Sequence, residues 1–408
     1  MAERLPVAVV VIPTYNEAES IGEMIQTLCR DIFPGVKNYN CQLLIVDDTS
    51  PDETWKIVHD LQKKYKNLHL LLNKTKGGIG NAYIKGFRYA VKQLGAEAVL
   101  EFDGDFQHPP TDIPKMLDKL AAGYDYVLGS RNVKGGSIPK SWGFKRVFFS
   151  KIGGGLVARF ILFFPGKFFW KITDPTTGLK ASRVKGFVDK MDMDHLYTRG
   201  FGYKMEFLYK MVKLGAKVTE IPLKFGLREK GKSKITSQTA GDIFKTIIRL
   251  RLNDPATKKF LKFGLVGGLG FVINAVALEV FRHSQITVNL AAYFARYNNG
   301  PVMSLFVSQS GWAGALAAEL AIISNYILNN FWTFAEDKIV HFFKFFWKFL
   351  QFNITSFGAV IIQFVVIGIA TLIFDDTVLV RQLALVFAVA FLIIPYNWLM
   401  YTKVIWKK

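Results

Sequence analysis

The sequence predicts an α/β head of the doubly wound type followed by an all-α membrane domain. Short continuous apolar segments such as VAVVVIP and CQLLIVDD alternate with amphipathic segments, which is the pattern of βαβ units around a parallel sheet. The charge then changes along the chain. Residues 1–252 hold 40 Lys and Arg and 25 Asp and Glu, whereas residues 253–408 hold only 12 and 7 and contain long apolar runs. The 408 residues are therefore expected to form a globular part and a membrane part.

The strands and helices of the head follow one another in a regular order. Five apolar segments are expected to be strands, joined by right-handed crossovers into a mostly parallel sheet. In chain order they are VAVVVIP, CQLLIVDD, LHLLLN, AVLEFDGD and YDYVLGSR. The helical segments between them include Ile21–Cys29, DETWKIVHDLQKKY and NAYIKGFRYAVKQLG. A sheet of this kind binds its ligands at the carboxyl ends of its strands.

Polar side chains cluster where these strands end. Pro13, Tyr15 and Glu17 follow the first strand, and Asp47-Asp48 follows the second. Because the carboxyl ends of parallel strands share one edge of a sheet, we expect these side chains to lie near a common ligand site.

The fourth strand leads into EFDGDFQHPP, in which Gly104 separates Asp103 from Asp105. On an extended strand residues i and i+2 face the same side, so the two carboxylates are expected a few ångström apart. Such a pair is costly unless a cation lies nearby, and oxygen ligands suit Mg²⁺ or Mn²⁺. Gly104 would leave space for a bulky ligand, and Gln107 is placed to add a neutral oxygen. A solvated loop with two surface acids is the alternative interpretation.

Basic residues favour a phosphate-rich ligand at these acids. Arg131 ends the fifth strand, and LREKGKSK supplies Arg228 and Lys234. A metal held by one or two carboxylates completes its coordination with water and substrate phosphate, and arginine can bind a phosphate through two parallel hydrogen bonds. His108 is expected to brace the Pro109-Pro110 turn rather than to act as a base.

A basic and aromatic segment follows the sheet. Residues 131–172 contain nine Lys and Arg and no Asp or Glu, interleaved with Phe and Trp. This combination is typical of the headgroup region of a membrane, so residues 144–172 are expected to form amphipathic interface helices broken at Pro165-Gly166. We attribute the net charge of +20 to a membrane surface and phosphorylated substrates, since the sequence contains no recognisable nucleic-acid-binding module.

Four apolar runs are long enough to cross a bilayer, which takes about 20 residues per helix. These runs are Phe260–Arg282, Ala313–Phe334, Leu350–Phe374 and Val378–Tyr401. Lysines flank the two ends and the middle connection, so the positive-inside rule predicts a multi-pass cell-membrane protein with its head and both termini in the cytoplasm. We expect a catalytic head over residues 1–240, an amphipathic linker helix over 241–257 and a membrane domain over 258–408.

Seven ordered motifs together resemble the polyprenyl-phosphate glycosyltransferases, most closely the dolichol-phosphate mannose synthases. They are PTYNEAESI, IVDDTSPDETW, GGIGNAYIKGF, EFDGDFQHPP, LGSRNVKGG, DPTTGLKASR and LREKGKSK. The likeness covers about residues 6–252 and implies a Rossmann-like glycosyltransferase-A fold for the head. Residues 258–405 are similar to the four-helix GtrA-like domain, by hydropathy and by the pattern N-x-x-x-N-x-x-W-x-F from Asn325 to Phe334.

The resemblance also implies roles for individual residues. The implied nucleotide-sugar pocket consists of Pro13, Tyr15, Glu17, Asp47, Asp48, Asp103, Gly104 and Lys234. The implied metal ligands are Asp103, Asp105 and Gln107, and the implied acceptor-phosphate contacts are Arg131, Arg146 and Ser150. The residues expected to be catalytic are Asp105, Arg131 and Arg228. This chain has Gly104 where the family usually has Ala, and Thr49 where a Gly often follows the second Asp.

The implied reaction transfers mannose from GDP-mannose to dolichyl phosphate at the cytoplasmic membrane face, with inversion and with Mg²⁺ or Mn²⁺ as cofactor. The acceptor phosphate has a second pKa of about 6, so its oxygen is already anionic near neutral pH and needs no general base. Two alternatives stay open: another nucleotide sugar such as UDP-glucose with a polyprenyl phosphate, and a lipid-linked sugar translocator or membrane scaffold. The expected partners are the nucleotide sugar, the polyprenyl phosphate and the bilayer, with neither nucleic acid nor an obligate protein partner.

Overall fold

The computed structural model describes residues 4–227, 237–297, 300–393 and 396. Contacts divide the chain into two compact units, Met1–Asn253 and Asp254–Lys408. The predicted linker helix over residues 241–257 differs from the observed helices. One helix ends at Asn253, because Asp254 leaves the helical conformation and its carboxylate accepts a hydrogen bond from the Thr257 N–H, which begins the next helix at Pro255.

The first unit contains a seven-stranded sheet in the order β3-β2-β1-β4-β6-β5-β7. Its strands are β1 (Val7–Thr14), β2 (Asn40–Asp47), β3 (Leu68–Leu72), β4 (Ala98–Glu101), β5 (Tyr126–Ser130), β6 (Lys180–Arg183) and β7 (Val218–Pro222). All pairings are parallel except those of β6, which is antiparallel to both β4 and β5. The predicted mostly parallel α/β sheet is confirmed, and β6 and β7 are additions. Because β6 lies between β4 and β5, Arg131 does not follow a strand adjacent to the one before Asp103.

Helices cover both faces of this sheet. They are α1 (Ala18–Gln26), α2 (Thr54–Gln62), α3 (Ile79–Gln93), α4 (Asp112–Ala121), α5 (Phe144–Phe148), α6 (Ala158–Phe163), α7 (Phe168–Lys171), α8 (Tyr203–Lys213) and α9 (Ser237–Asn253). The run VAVVVIP is apolar at every position because both of its faces are buried. Val7, Val9 and Val11 pack into one hydrophobic cluster, and the alternate residues from Ala8 to Ile12 pack into the other.

Residues 144–163 of the basic and aromatic segment form a continuous helix. A π-helical stretch, Phe149–Val157, joins α5 to α6, and the chain leaves the helix at residues 164–167, around the predicted break. Leu162 and Phe163 of α6 are buried in the core, whereas Phe144 and Trp170 are 82% and 75% exposed. The segment is therefore amphipathic, and its placement in a membrane interface stays a prediction.

The second unit is helical throughout its described part. Its helices are α10 (Pro255–Arg282), α11 (Gln285–Ala295), α12 (Pro301–Val307), α13 (Gln309–Leu328), α14 (Phe342–Ile373) and α15 (Val378–Phe387). Three stretches are long and apolar enough to cross a membrane: Pro255–Arg282, Gln309–Thr333 and Phe342–Ile373. A shorter apolar helix covers Val378–Ile393. The predicted fourth span, Val378–Tyr401, extends beyond the described residues, so the count of four stays a prediction.

Polar contacts connect the helices of this unit. The amides of Asn274 on α10 and Gln363 on α14 exchange two hydrogen bonds of 2.8 Å, and Gln363 also donates to the Gly314 carbonyl oxygen at 2.9 Å. Near the C-terminal end of α10, the Arg381 guanidinium binds the carboxylates of Glu279 and Asp376. Satisfied polar groups of this kind fix which helix faces meet.

Candidate active site

Asp47 belongs to the frame of the predicted nucleotide pocket. Its carboxylate is fully buried and accepts hydrogen bonds from the Thr14 hydroxyl at 2.8 Å and from the Ser50 N–H and hydroxyl at 2.7 Å each. Thr14 ends β1 and Ser50 follows β2, so Asp47 ties the two loops together. Because three protein donors already bind this carboxylate, it has little capacity left for a ligand. This arrangement differs from the direct contact with the nucleotide sugar that was expected of Asp47.

Asp48 connects the loops after β2 and β3. One of its oxygens accepts from the Asn73 amide at 2.7 Å, and the other accepts from the Gly77 N–H at 3.3 Å. Only 8% of the residue is exposed. The side chain thus holds the glycine-rich loop before α3 against the second strand end.

The other pocket residues from the first loop line the same edge. Pro13 and Tyr15 are half-buried, and the Lys76 ammonium lies 3.7 Å from the centre of the Tyr15 ring, a cation–π contact. The Glu17 N–H donates to the Thr54 hydroxyl at 3.0 Å and positions the start of α1. The structure therefore brings these three predicted residues to the edge where β1 and β2 end.

Backbone strain gathers at this edge of the sheet. Asn16, Thr49, Glu53 and Phe106 have φ angles of 54°, 51°, 60° and 59°, in the left-handed region that non-glycine residues rarely adopt. All four follow the carboxyl ends of β1, β2 or β4. Strained residues persist where the surroundings hold them in place, and such places are often ligand sites.

The two acids lie in a turn rather than on an extended strand. β4 ends at Glu101, and Gly104 and Asp105 begin the turn that Phe106 continues. The prediction that Asp103 and Asp105 face the same side because they alternate along a strand is therefore wrong, since the strand ends before both residues. A Cβ added to Gly104 would meet the Ile12 Cγ2 at 3.2 Å, so this glycine lets the turn pack closely against the core.

The donor atoms of this turn fit a hard divalent cation. Asp103 has a side chain that is 32% exposed, and the Asp105 carboxylate accepts from the Gln107 N–H at 3.0 Å. The Gln107 amide nitrogen approaches the Gly226 carbonyl oxygen at 3.4 Å, which leaves its oxygen as the atom for a ligand. No three His, Cys, Asp or Glu side chains are grouped for metal binding within the described residues. Two carboxylates and one amide suit Mg²⁺ or Mn²⁺ that shares a substrate phosphate.

Arg131 is held by a residue that the sequence analysis did not single out. Its Nε and Nη2 lie 2.7 Å from the two carboxylate oxygens of Asp174, and its backbone N–H donates to Asp174 at 3.1 Å. The Arg131 side chain is 12% exposed and that of Asp174 is 1% exposed. Burial alone would raise the pKa of Asp174, but the charge and the hydrogen bonds of the adjacent Arg131 together have the larger effect, so the pKa of Asp174 is lowered. Asp174 occupies one edge of Arg131, so only the Nη1 edge could face a phosphate.

A stack of aromatic and basic side chains joins Arg131 to Arg146. The Arg131 guanidinium lies 5.6 Å from the Phe225 ring centre, Phe225 meets Trp142 edge-on at 5.7 Å, and the Arg146 guanidinium lies 3.9 Å from Trp142. Partial burial and the positive charge of Arg131 lower the pKa of Arg146. Two arginines that repel each other in this way favour an anion between them. Ser150 is half-buried one helical turn after Arg146.

His108 packs inside the site. Its ring lies 5.3 Å from that of Phe225 and 6.0 Å from that of Phe102, and its Nδ1 is 3.5 Å from the Asp103 carboxylate. Burial lowers the pKa of His108 to about 4. The imidazole is therefore neutral at physiological pH and is a weak base, and its predicted role in bracing the Pro109-Pro110 turn stays a prediction.

Sequence reasoning located the acids and Arg131 but missed their supports. Asp174 stands in the quoted motif DPTTGLKASR, which was a signal for it, whereas Phe225 and Trp142 carry no recognisable signal. Arg228 and Lys234 lie outside the described residues. The charges of Asp103, Arg131 and Asp174 all act on the pKa of His108, so these three residues lie near the same imidazole.

Comparison with known proteins gives the same division of the chain. Residues 9–186 match the family described as glycosyl transferase family 2, and residues 262–406 match the GtrA/DPMS transmembrane domain. The chain is 30% identical over 357 residues to a dolichol-phosphate mannosyltransferase of Pyrococcus furiosus, an alignment that covers 88% of each protein. It is 32% identical over 239 residues to an undecaprenyl-phosphate mannosyltransferase of Micrococcus luteus, which covers 59% of this chain and 91% of the relative.

Proposed function

Because the chain belongs to the polyprenyl-phosphate glycosyltransferases, with a glycosyltransferase-A head and a GtrA/DPMS membrane domain, we propose that it transfers mannose from GDP-mannose to dolichyl phosphate. The products would be dolichyl β-D-mannosyl phosphate and GDP. The relatives named above support mannose and a polyprenyl phosphate, and guanine as the base and dolichol as the lipid are part of the proposal.

The observation that carries the proposal is the pair of arginines beside two acids. Arg131 and Arg146 are held close by the Phe225–Trp142 stack, and Arg131 keeps one edge of its guanidinium for a ligand. A phosphate monoester would neutralise both arginines, and Arg131 is oriented by Asp174 to receive it. The imidazole of His108 lies 3.5 Å from the Asp103 carboxylate, and the charge of Arg131 also acts on it.

The chemistry follows from the charges. Near neutral pH the acceptor phosphate oxygen is already an anion, so it attacks the anomeric carbon without a general base. This agrees with the low pKa of His108, which makes its imidazole a weak base. The bond from the anomeric carbon to the nucleotide diphosphate breaks, and one displacement inverts the configuration. Mg²⁺ or Mn²⁺ on Asp103, Asp105 and Gln107 would stabilise the negative charge of the departing diphosphate. Arg131 and Arg146 orient the nucleophile and shield its charge.

The donor would lie along the strand ends after β1 and β2. Tyr15 and Pro13 offer partly buried apolar surface, and Asp48 is held at the glycine-rich loop. Arg228 and Lys234, outside the described residues, are proposed to approach the diphosphate. We further propose that the head and both termini are cytoplasmic, which the lysines between and around the apolar helices support. The exposed aromatic residues of 144–170 support contact with the bilayer.

The test is transfer by the purified full chain in detergent. GDP-mannose, UDP-glucose and further nucleotide sugars are offered with dolichyl or undecaprenyl phosphate, with Mn²⁺, Mg²⁺ or EDTA. We expect metal-dependent formation of mannosyl lipid, and its loss in Asp105→Asn with an unchanged melting temperature. Preference for UDP-glucose would overturn the donor. Absence of any transfer, together with movement of preformed mannosyl lipid across vesicles, would instead favour a translocator.

A further inference from the structure

Asp103 faces a lysine from a distant part of the chain. Lys204, in the first turn of α8, has its Nζ 3.9 Å from Asp103 Oδ1, and only 6% of the residue is exposed. The same Asp103 oxygen accepts from the Tyr83 hydroxyl at 3.2 Å. A nearly buried ammonium thus lies next to a carboxylate of the proposed metal site.

A second lysine fixes the backbone that carries Lys204. The Lys180 ammonium donates to the Lys204 carbonyl oxygen at 2.8 Å. Lys180 on β6 is the register partner of Glu101 on β4, and both residues are fully buried. This hydrogen bond ties the first turn of α8 to β6, and the pairing of β6 with β4 places that turn relative to the strand that precedes Asp103.

The space around the Lys204 ammonium is kept open by a glycine. A Cβ added to Gly178 would lie 2.9 Å from the Lys204 Nζ, 2.8 Å from the His108 Cε1 and 3.0 Å from the Asp103 Oδ2. Any other residue at 178 would therefore push the lysine, the histidine and the acid apart. Lys204, Asp103 and Gly178 form one close-packed unit around the charge pair.

We propose that Lys204 is a positioning residue that serves as the internal counter-charge of Asp103 and makes metal binding depend on the nucleotide diphosphate. Without a metal, the ammonium offsets the repulsion between Asp103 and Asp105. A divalent cation bound alone would face this ammonium as an added like charge, so its binding is weakened. A nucleotide diphosphate supplies negative charge beside both cations and removes that penalty. The inference rests on the proposed function, because it takes Asp103 and Asp105 as metal ligands.

The experiment measures free Mn²⁺ by electron paramagnetic resonance in titrations of the purified full chain, with and without GDP. For the natural chain we expect weak Mn²⁺ binding that GDP strengthens. In Lys204→Met, Mn²⁺ alone should bind about tenfold more tightly, because a like charge within a few ångström is removed, and the gain from GDP should shrink by a similar factor. The matched control is Lys213→Met, an exposed lysine on the same helix, which should behave as the natural chain does.

The outcomes separate this inference from the proposed function. If the natural chain and Asp105→Asn bind Mn²⁺ equally, the metal site itself is wrong. If Asp105→Asn loses Mn²⁺ while Lys204→Met binds it as the natural chain does, the metal site stands and the role of Lys204 is overturned. Melting temperatures show whether Lys204→Met is folded. If Lys204→Met does not fold, Lys204→Gln replaces it, because glutamine keeps a polar group near Asp103. The inference is also overturned if GDP leaves the Mn²⁺ affinity of the natural chain unchanged.

Discussion

The ion pair of Arg131 and Asp174 allows the effect of a substitution on folding stability to be distinguished from its effect on activity. We compare the single changes Arg131→Met and Asp174→Leu with the double change. Each single change leaves one buried charge without its partner, since the side chains are only 12% and 1% exposed. The double change removes both charges and keeps apolar groups of similar volume.

The burial of this ion pair sets the expected loss of unfolding free energy in each variant. Breaking a buried ion pair by removing one partner costs about 3–5 kcal/mol, whereas replacing both partners with apolar residues is often near neutral. Asp174 also accepts a hydrogen bond from the Arg131 N–H at 3.1 Å, and an orphaned buried N–H costs about 1–3 kcal/mol. The double variant should therefore lose about 1–3 kcal/mol, compared with about 6–10 kcal/mol if the two changes acted independently.

The assay is thermal unfolding of the purified chain at pH 7, where the lowered pKa of Asp174 keeps it ionised. A loss of about 3 kcal/mol in a unit of this size corresponds to roughly 6–12 °C. We expect the double variant to lose no more stability than either single variant and yet to bind polyprenyl phosphate poorly, because Arg131 is gone, while GDP binding is kept. Additive losses in the double variant would refute the coupling, and normal use of the acceptor would refute the role of Arg131.

Three further predictions concern other parts of the molecule. The acid limb of the pH–rate profile should follow ionisation of the acceptor phosphate near pH 6, and it should move upward with an acceptor analogue that ionises at higher pH, whereas a limb unchanged between acceptors would indicate a group on the protein. Asp47→Ala removes the acceptor of three buried hydrogen bonds and should lower unfolding free energy by about 2–4 kcal/mol, measured by denaturant titration. Asn274→Leu removes two hydrogen bonds of the Gln363 amide and leaves its buried oxygen without a donor, so it should lower the melting temperature of the helical unit more than the double change with Gln363→Leu does.

The sheet shows how far local sequence patterns reach. The five predicted strands are continuous apolar runs, and the structure confirms them because buried parallel strands need apolar residues on both faces. β6 reads KASR and was missed, since its buried Lys180 is polar by type and its ammonium donates to the Lys204 carbonyl oxygen. The local pattern of apolar residues cannot reveal that Lys180 has a hydrogen-bond partner 24 residues further along the chain.

The site was predictable in its composition but not in its supports. Strand ends and repeated acids pointed to the edge of the sheet where the structure gathers these side chains, because parallel strands bring their carboxyl ends together. The turn that contains Asp105 was taken for strand, since the apolar run continues through Phe102 and nothing local marks the left-handed Phe106. Asp174, 43 residues from Arg131, becomes a neighbour only once β6 is inserted between β4 and β5.

A second ion pair in the same sheet clarifies why Arg131 is a better ligand candidate than other arginines. Arg183 binds Asp125 at 2.9 Å and also donates to the carbonyl oxygens of Leu120 and Tyr124, and its side chain is 34% exposed. Water can therefore complete the hydrogen bonding of Arg183. Arg131 is far less exposed, and its Nη1 has no hydrogen-bond partner among the described residues. Because Asp174 fixes the guanidinium and leaves its Nη1 edge without a protein partner among the described residues, Arg131 is suited to bind an anion through charge-assisted hydrogen bonds.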